Sequence, residues 1–253
     1  MATTTPRECA ARAESATNLP QDDAEHFAGY AVMGVPFSSG HYLAFRRFPS
    51  SSIGPGYHAV WLRTPGGQWT VHADVPPELS CARYMGAALA GARTGPVDAE
   101  WTGPGSLSVS VPGVVRWELD LGTTWATAAA TAMALRLPSA LWRRDGVVNA
   151  MGRVMGPALG AGRLAFAGLA PNGQRFQAKP LRVWTVTNSR AAIDGEDAGT
   201  PRALPVQDHL ADFWLPQRGL FVADVSIRYP STAPGWEEFT PDHERTAQHH
   251  EHH

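Results

Sequence analysis

Pairs of short segments that alternate apolar and polar residues, each pair joined by a Gly-containing turn, constrain this chain more than any other feature. Ser106 to Leu121 shows it most clearly. Leu107, Val109 and Val111 alternate with Ser106, Ser108 and Ser110. Pro112-Gly113 turns the chain, and Val115, Trp117, Leu119 and Leu121 then alternate with Val114, Arg116, Glu118 and Asp120. A period of two puts one set of side chains on each face of a strand, and so short a connection makes the two strands antiparallel neighbours. Val97 to Trp101, closed by Thr102-Gly103-Pro104-Gly105, adds a third strand to this meander.

The same pattern recurs elsewhere. Tyr57 to Thr64 is followed by Pro65-Gly66-Gly67 and by Gln68 to Val75, in which Trp69, Val71, Ala73 and Val75 alternate with Gln68, Thr70, His72 and Asp74. Arg163 to Ala170, the turn Pro171-Asn172-Gly173 and Gln174 to Lys179 make another hairpin, continued after Pro180 by a strand over Leu181 to Thr187. Phe221, Ala223, Val225, Ile227 and Tyr229 alternate with Val222, Asp224, Ser226 and Arg228, and Tyr30 to Pro36 and His41 to Phe48 read as early strands. Helix is the minority: one short helix over Glu78 to Ala90, and a main block over Thr123 to Leu159 that is Ala-rich and broken at Pro138. Strands do not alternate with helices, which argues against a doubly wound sheet. The predicted fold is mainly β: an antiparallel meander that closes into a lipocalin-like β-barrel, or splits into a two-sheet sandwich, with one helical insert at about 123–160.

Residues 1–27 show no periodicity and read as a flexible N-terminal arm; 28–230 form a single β-rich domain; 231–253 read as a flexible His-rich C-terminal tail. That tail ends Gln248-His249-His250-Glu251-His252-His253, a run that binds metal loosely or is an appended segment, and it stays outside the fold reasoning. Of two cysteines, Cys9 lies in the arm, so no bridge to Cys81 is expected. The absence of a disulfide framework, of an apolar leader and of any apolar run long enough to span a bilayer predicts a cytoplasmic protein with no transmembrane segment. A net charge of -2 gives no electrostatic reason to expect nucleic acid as a partner. Only Lys179 is lysine among 21 basic residues, so ion pairing falls to arginine, whose planar fork grips carboxylates.

No P-loop, dinucleotide-binding glycine motif, nucleophile elbow, His-Glu-x-x-His or paired Cys-x-x-Cys occurs, and no cofactor is implied. Two sets of candidates remain. Trp61, Trp69, Trp117, Trp184 and Trp214 supply either core or the wall of an apolar pocket, with indole N–H groups to orient a ligand. His72 and Asp74 share a strand face, where a carboxylate raises an imidazole's basicity for acid–base work; Gln68 and Thr70 on that face are polar too, and a solvated outer face explains all four. Asp208, His209 and Asp212 sit in the polar-aromatic run Gln207 to Trp214, with Arg218 nearby, and are candidates for proton transfer or for ordinary loop packing. Cys81 beside Arg83 near a helix start is a candidate low-pKa thiol or a buried one. Gly152, Gly156 and Gly160, spaced by four, point to close packing of the helix end or to a mobile lid.

The hairpin Tyr57-His58-Ala59-Val60-Trp61 through Gln68-Trp69-Thr70, the serine-rich meander 97–121 and the hairpin closed by Pro171-Asn172-Gly173 resemble lipocalin-like domains of the carotenoid hydratase (hydroxyneurosporene synthase) type. The resemblance covers about half the chain and is architectural. It implies a barrel whose relatives include cyclases and isomerases acting on polyketide or terpenoid intermediates, and it assigns no catalytic residue. The expected function is binding of an apolar small molecule, lipid, terpenoid or polyketide-like, in a β-barrel cavity. The alternatives are a cofactor-independent cyclase, isomerase or hydratase using that cavity, and a protein-interaction module.

Overall fold

The computed structural model describes residues 4–16 and 18–230. The predicted hairpins form one curled, mainly antiparallel sheet. Its first half contains β1 (Glu25–Pro36), β2 (Tyr42–Ser51), β3 (Tyr57–Arg63), β4 (Trp69–Ala73) and β5 (Gly91–Thr94). Then come β6 (Asp98–Trp101), β7 (Ser106–Val111) and β8 (Val115–Gly122), the expected three-stranded meander. Gly113 closes the β7–β8 turn at φ +75°, a conformation that glycine adopts without strain. The helical insert follows, then β9 (Ala167–Leu169), the 19-residue β10 (Arg175–Ile193), β11 (Glu196–Asp197), a small β12–β13 hairpin (His209–Leu210 and Phe213–Trp214) and β14 (Leu220–Tyr229).

The strand order is β5-β4-β3-β2-β1-β14-β10-β8-β7-β6, with β5 parallel to β4 and the other pairs antiparallel. The edge strands β5 and β6 are not paired with each other, so the sheet is a half-barrel rather than a closed one. Three residues, Gly95 to Val97, nevertheless link those edges. Four Cα steps reach at most about 14 Å, which forces the sheet to curl. The curl is visible across it: the Trp101 ring of β6 packs tilted against Tyr30 of β1 at 6.3 Å and edge-to-face against Phe221 of β14 at 5.6 Å.

The inside of the curl is a packed core. Tyr30, Phe45, Val60, Val109, Trp117, Leu119, Trp184 and Phe221 meet there, and the Trp117 indole donates to the Ser189 hydroxyl at 2.8 Å. One end is plugged by α1 (Pro6–Ser15), which buries Cys9 and Ala10 in this core. The flexible arm expected over 1–27 is therefore helical over its middle, and β1 already begins at Glu25. The local cause is a capping box: the Thr5 hydroxyl accepts from Glu8 N, Glu8 accepts from Thr5 N, and Pro6 sits at the first helical position. Glu14 then anchors the helix, accepting from both Arg47 Nε and Nη2 and from the Tyr30 hydroxyl.

The outer face of β1, β10 and β14 is apolar too, and the helical block covers it. α3 (Trp125–Arg136), α4 (Ser139–Trp142) and α5 (Asp145–Ala158) contribute Ala130, Ala134, Trp142, Val148 and Met155 to a second core with Val183, Val222 and Val225. Gly152 and Gly156 of α5 permit close packing: a Cβ on either would run into the carbonyls of Leu164 or Gly162. That clamp holds 161–166 as an irregular strap, so the strand expected from Arg163 shrinks to β9. The helix expected over Glu78 to Ala90 likewise shrinks to α2 (Ala82–Met85) between two short 3-10 turns, because this segment is the crossover that returns the chain to pair β5 parallel to β4. The expected tail 231–253 lies outside the described residues.

One register differs from the sequence pattern. β14 carries a bulge at Asp224, whose φ is +50° and whose carboxylate accepts from Arg182 Nε at 2.8 Å. Phe221 and Ala223 point inward as expected, but Val225 and Ile227 pack outward beside Val222. An inserted residue shifts every later side chain to the other face.

Two outcomes test this account. Trp117→Ala should destabilise by about 3–5 kcal/mol, read from urea unfolding, because it empties the centre of the inner core. Burial pushes the Glu14 carboxyl up, but the Arg47 hydrogen bond and charge, with the Tyr30 hydroxyl, outweigh it and hold the pKa below the ordinary 4.5. Its contribution to docking α1 is complete above pH 4.5 and is lost as pH falls through the depressed value. Hydrogen-exchange protection of α1 amides should drop over that acidic range in the wild type, and Glu14→Gln should abolish the step.

Candidate functional site

The apolar cavity that stands out lies on the outer side of the sheet, away from the core inside the curl. Its floor is the outward face of four strands: Ala31 and Met33 from β1, Arg46 and Phe48 from β2, Ala178 and Val183 from β10, and Val222, Val225 and Ile227 from β14. Its cover comes from Met155 of α5, Leu159 just past that helix, the strap Leu164 to Phe166, and Phe213, Trp214 and Pro216. The cavity measures about 50 Å³, room for a few waters and well below the roughly 300–1,000 Å³ of sites that hold a bound small molecule. The space is narrow and leaves little room for water. The β14 bulge makes this floor, since without it Val225 and Ile227 would face inward.

Arg46 is the one charged side chain in the wall, and no carboxylate or imidazole lines it. It is 3% exposed. Its Nη1 donates to the carbonyls of Val32 at 2.5 Å and Phe45 at 3.0 Å, and Nη2 to Met33 at 3.2 Å. β1 is irregular between Val32 and Val35, which frees the Val32 and Met33 carbonyls from regular pairing. The guanidinium also lies 5.1 Å from the centre of the Trp61 ring. Among the described residues no carboxylate pairs with it. Burial pushes its pKa below the ordinary arginine value, yet a guanidinium stays protonated in a protein, so a cation is held here by carbonyl dipoles and the Trp61 ring, with no carboxylate.

The cover is tied down by the polar run noticed in the sequence. Gln207 Nε2 donates to the carbonyls of Arg163 and Leu215, both at 2.8 Å, while its Oε1 accepts from Arg163 N. Asp208 accepts from the Arg63 guanidinium and from Trp69 Nε1 at 3.2 Å, which latches the loop to β3 and β4. His209 Nδ1 lies 2.8 Å from the Ala211 carbonyl, and its ring stacks on Trp214 at 4.5 Å. Asp212 accepts from Leu169 N at 2.9 Å and lines a neighbouring polar cleft with Arg153, Arg163 and Arg175. Three candidate acid–base residues of this run thus sit around the cover, and none of them lines the apolar cavity.

The His72–Asp74 pairing does not form. Asp74 accepts instead from His58, at 2.8 Å from the backbone N–H and with Nδ1 at 2.7 Å from its second oxygen. β3 and β4 are antiparallel neighbours, so the partner comes from across the strand pair rather than from two residues along it. His72 is buried, and desolvation together with the charge of Arg93 pushes its pKa down.

Of the five tryptophans, Trp214 lines the cavity. Trp117 and Trp184 pack in the inner core. Trp61 and Trp69 pack in a core on the outer side of β2–β4, with Trp61 Nε1 donating to Cys81 Sγ at 3.1 Å. Cys81 is buried, and desolvation raises its pKa, the opposite of an activated thiol. Both cysteines are free. Arg46 was missed by sequence reasoning. Its signal was a charged residue in Leu43 to Phe48, among strand residues otherwise apolar on that face, namely Tyr42, Ala44 and Phe48.

A test of Arg46 follows from its partners. Arg46→Met leaves the Val32 and Met33 carbonyls without their side-chain donor and should destabilise by about 1–3 kcal/mol in urea unfolding, clearly less than Trp117→Ala.

No protein-family model matches the chain, and no curated protein does. Among solved structures, an acetoacetate decarboxylase from Legionella pneumophila subsp. pneumophila matches over 86% of this chain and 91% of its own, at 9% identity and a TM-score of 0.37, which carries no argument about activity.

Proposed function

We propose that this protein binds an apolar small molecule in the cavity between the outer sheet face and α5, with an oxygen of that molecule, a carboxylate or a carbonyl, directed at Arg46. The observation that carries the reading is the buried, carboxylate-free guanidinium in an otherwise apolar wall. Carbonyls occupy three of its N–H directions, and a guanidinium has five, so donors remain for a ligand. Apolar walls supply affinity and one polar group fixes orientation, and because the space as it stands is about 50 Å³, the cover must move off the sheet to admit the ligand. Lipid, terpenoid or polyketide-like acids have this chemistry. The reading is of binding rather than turnover because the wall offers no carboxylate or imidazole to move a proton.

The test pairs ligands that differ only at the head: a fatty acid, a terpenoid acid and an aromatic polyketide acid, each beside its alcohol. Saturable quenching of tryptophan fluorescence and a raised thermal midpoint are expected for at least one acid. Arg46→Gln should weaken that acid by about 10-fold or more, as expected for loss of a charge-assisted hydrogen bond, and weaken its alcohol less. Leu159→Trp, which fills the space under α5, should abolish binding of both. If no member of the panel shifts the midpoint, or if Arg46→Gln affects acid and alcohol alike, the reading is wrong.

A further inference from the structure

The net charge of -2 conceals a strong segregation. Residues 123–163 hold five arginines, Arg136, Arg143, Arg144, Arg153 and Arg163, against one acid, Asp145. That acid is already engaged by the Arg175 guanidinium and by Gln177 Nε2. The block therefore carries a formal +4 in a chain whose total is negative. All five arginines are exposed, and among the described residues none has an ion-pair partner.

The same surface is apolar between its arginines. Trp125 is 82% exposed and Val154 68%, with Leu135 and Met133 also exposed. At about 100° per residue, Trp125, Ala129, Ala132 and Arg136 fall on one stripe of α3, opposite the buried Thr127, Ala130 and Ala134. On α5 the exposed positions include Ala150, Arg153, Val154 and Pro157. Both helices bury residues in the same outer core, so each turns its exposed residues away from that core. Two acids border these faces: Asp145 at the start of α5, held by Arg175, and Asp212, which shares a cleft with Arg153 and Arg163.

From this we infer that the outer face of the α3–α5 block docks on an anionic lipid surface. Arg136, Arg143 and Arg144, which have no acid beside them among the described residues, attract the headgroups, and Trp125, Met133 and Val154 enter the boundary between headgroup and acyl chain, where an indole is at home. A nucleic acid would use the arginines but would gain nothing from exposed Val, Leu and Met, which offer bases no stacking surface. The inference stands apart from the occupant of the cavity.

Co-sedimentation of the full chain with vesicles tests it, using phosphatidylcholine alone and phosphatidylcholine mixed with phosphatidylglycerol. Binding is expected only to the mixed vesicles, weakening as salt rises and accompanied by a blue shift of tryptophan emission. Each exposed arginine should contribute roughly five-fold, so Arg143→Gln with Arg144→Gln should weaken binding by about 25-fold. Trp125→Ser should weaken binding and remove most of the blue shift. These positions are exposed, and an unchanged thermal midpoint verifies that each variant is folded. Equal binding to both vesicle types, or none to either, overturns the inference. So does tighter binding to a single-stranded oligonucleotide that is indifferent to Trp125→Ser.

Discussion

The structure depends on β1, β14 and β10 being apolar on both faces. Their inward residues, Tyr30, Val32, Trp184 and Phe221, fill the curl. Their outward residues, Ala31, Val183, Val222 and Val225, must also leave water, and the helical block and the loop ending at Pro216 supply the cover. A strand that alternated cleanly between apolar and polar would need no such second layer. The cavity is the place where that layer stands off from the sheet. It is thus a product of two-sided burial rather than of barrel closure, and the interior that a lipocalin-like fold would reserve for a ligand is occupied by tryptophan, tyrosine and phenylalanine.

Arginine does most of the polar work inside this arrangement, consistent with a chain that has a single lysine. Arg47 grips the Glu14 carboxylate with two nitrogens and seats α1 over one end of the curl. Arg63 holds Asp208 and so fastens the cover to β3. Arg46 has the same fork but faces carbonyls and the Trp61 ring rather than a carboxylate, where β1 departs from regular pairing. Two guanidiniums are thus neutralised in place and one is left as a buried cation beside an apolar space. The exposed arginines of the helical block form the fourth case, a charge excess turned outward with exposed apolar side chains between them.

Much of the sheet was legible residue by residue. The meander β6–β8 and the β3–β4 hairpin follow from alternation and from Pro-Gly or Gly-Gly turns, because both are local properties of a few adjacent residues. Helix α1 was equally legible, since Thr5-Pro6-Arg7-Glu8 is a capping box, but composition outweighed it. The bulge at Asp224 was not: alternation continues through it in the sequence, and only the pairing with β1 and the Arg182 contact reveal the inserted residue. The shortening of 163–170 to β9 has a similar cause, because the glycines that clamp the strap lie on another element.

The candidate site shows the same division. Trp214 was named from the sequence and lines the cavity, whereas Arg46 was passed over; Asp208, His209 and Asp212 sit around the cover, Asp74 meets His58, and His72 is buried away from it. By itself the sequence determined that the chain is mainly β, where its principal hairpins turn and that one helical block interrupts them. These are set by side-chain periodicity and turn chemistry over a few residues. The tertiary structure alone decided which face of each strand borders a space, which histidine meets Asp74 and which arginine lacks a carboxylate. Those depend on what a distant segment brings across the sheet, and no local pattern encodes it.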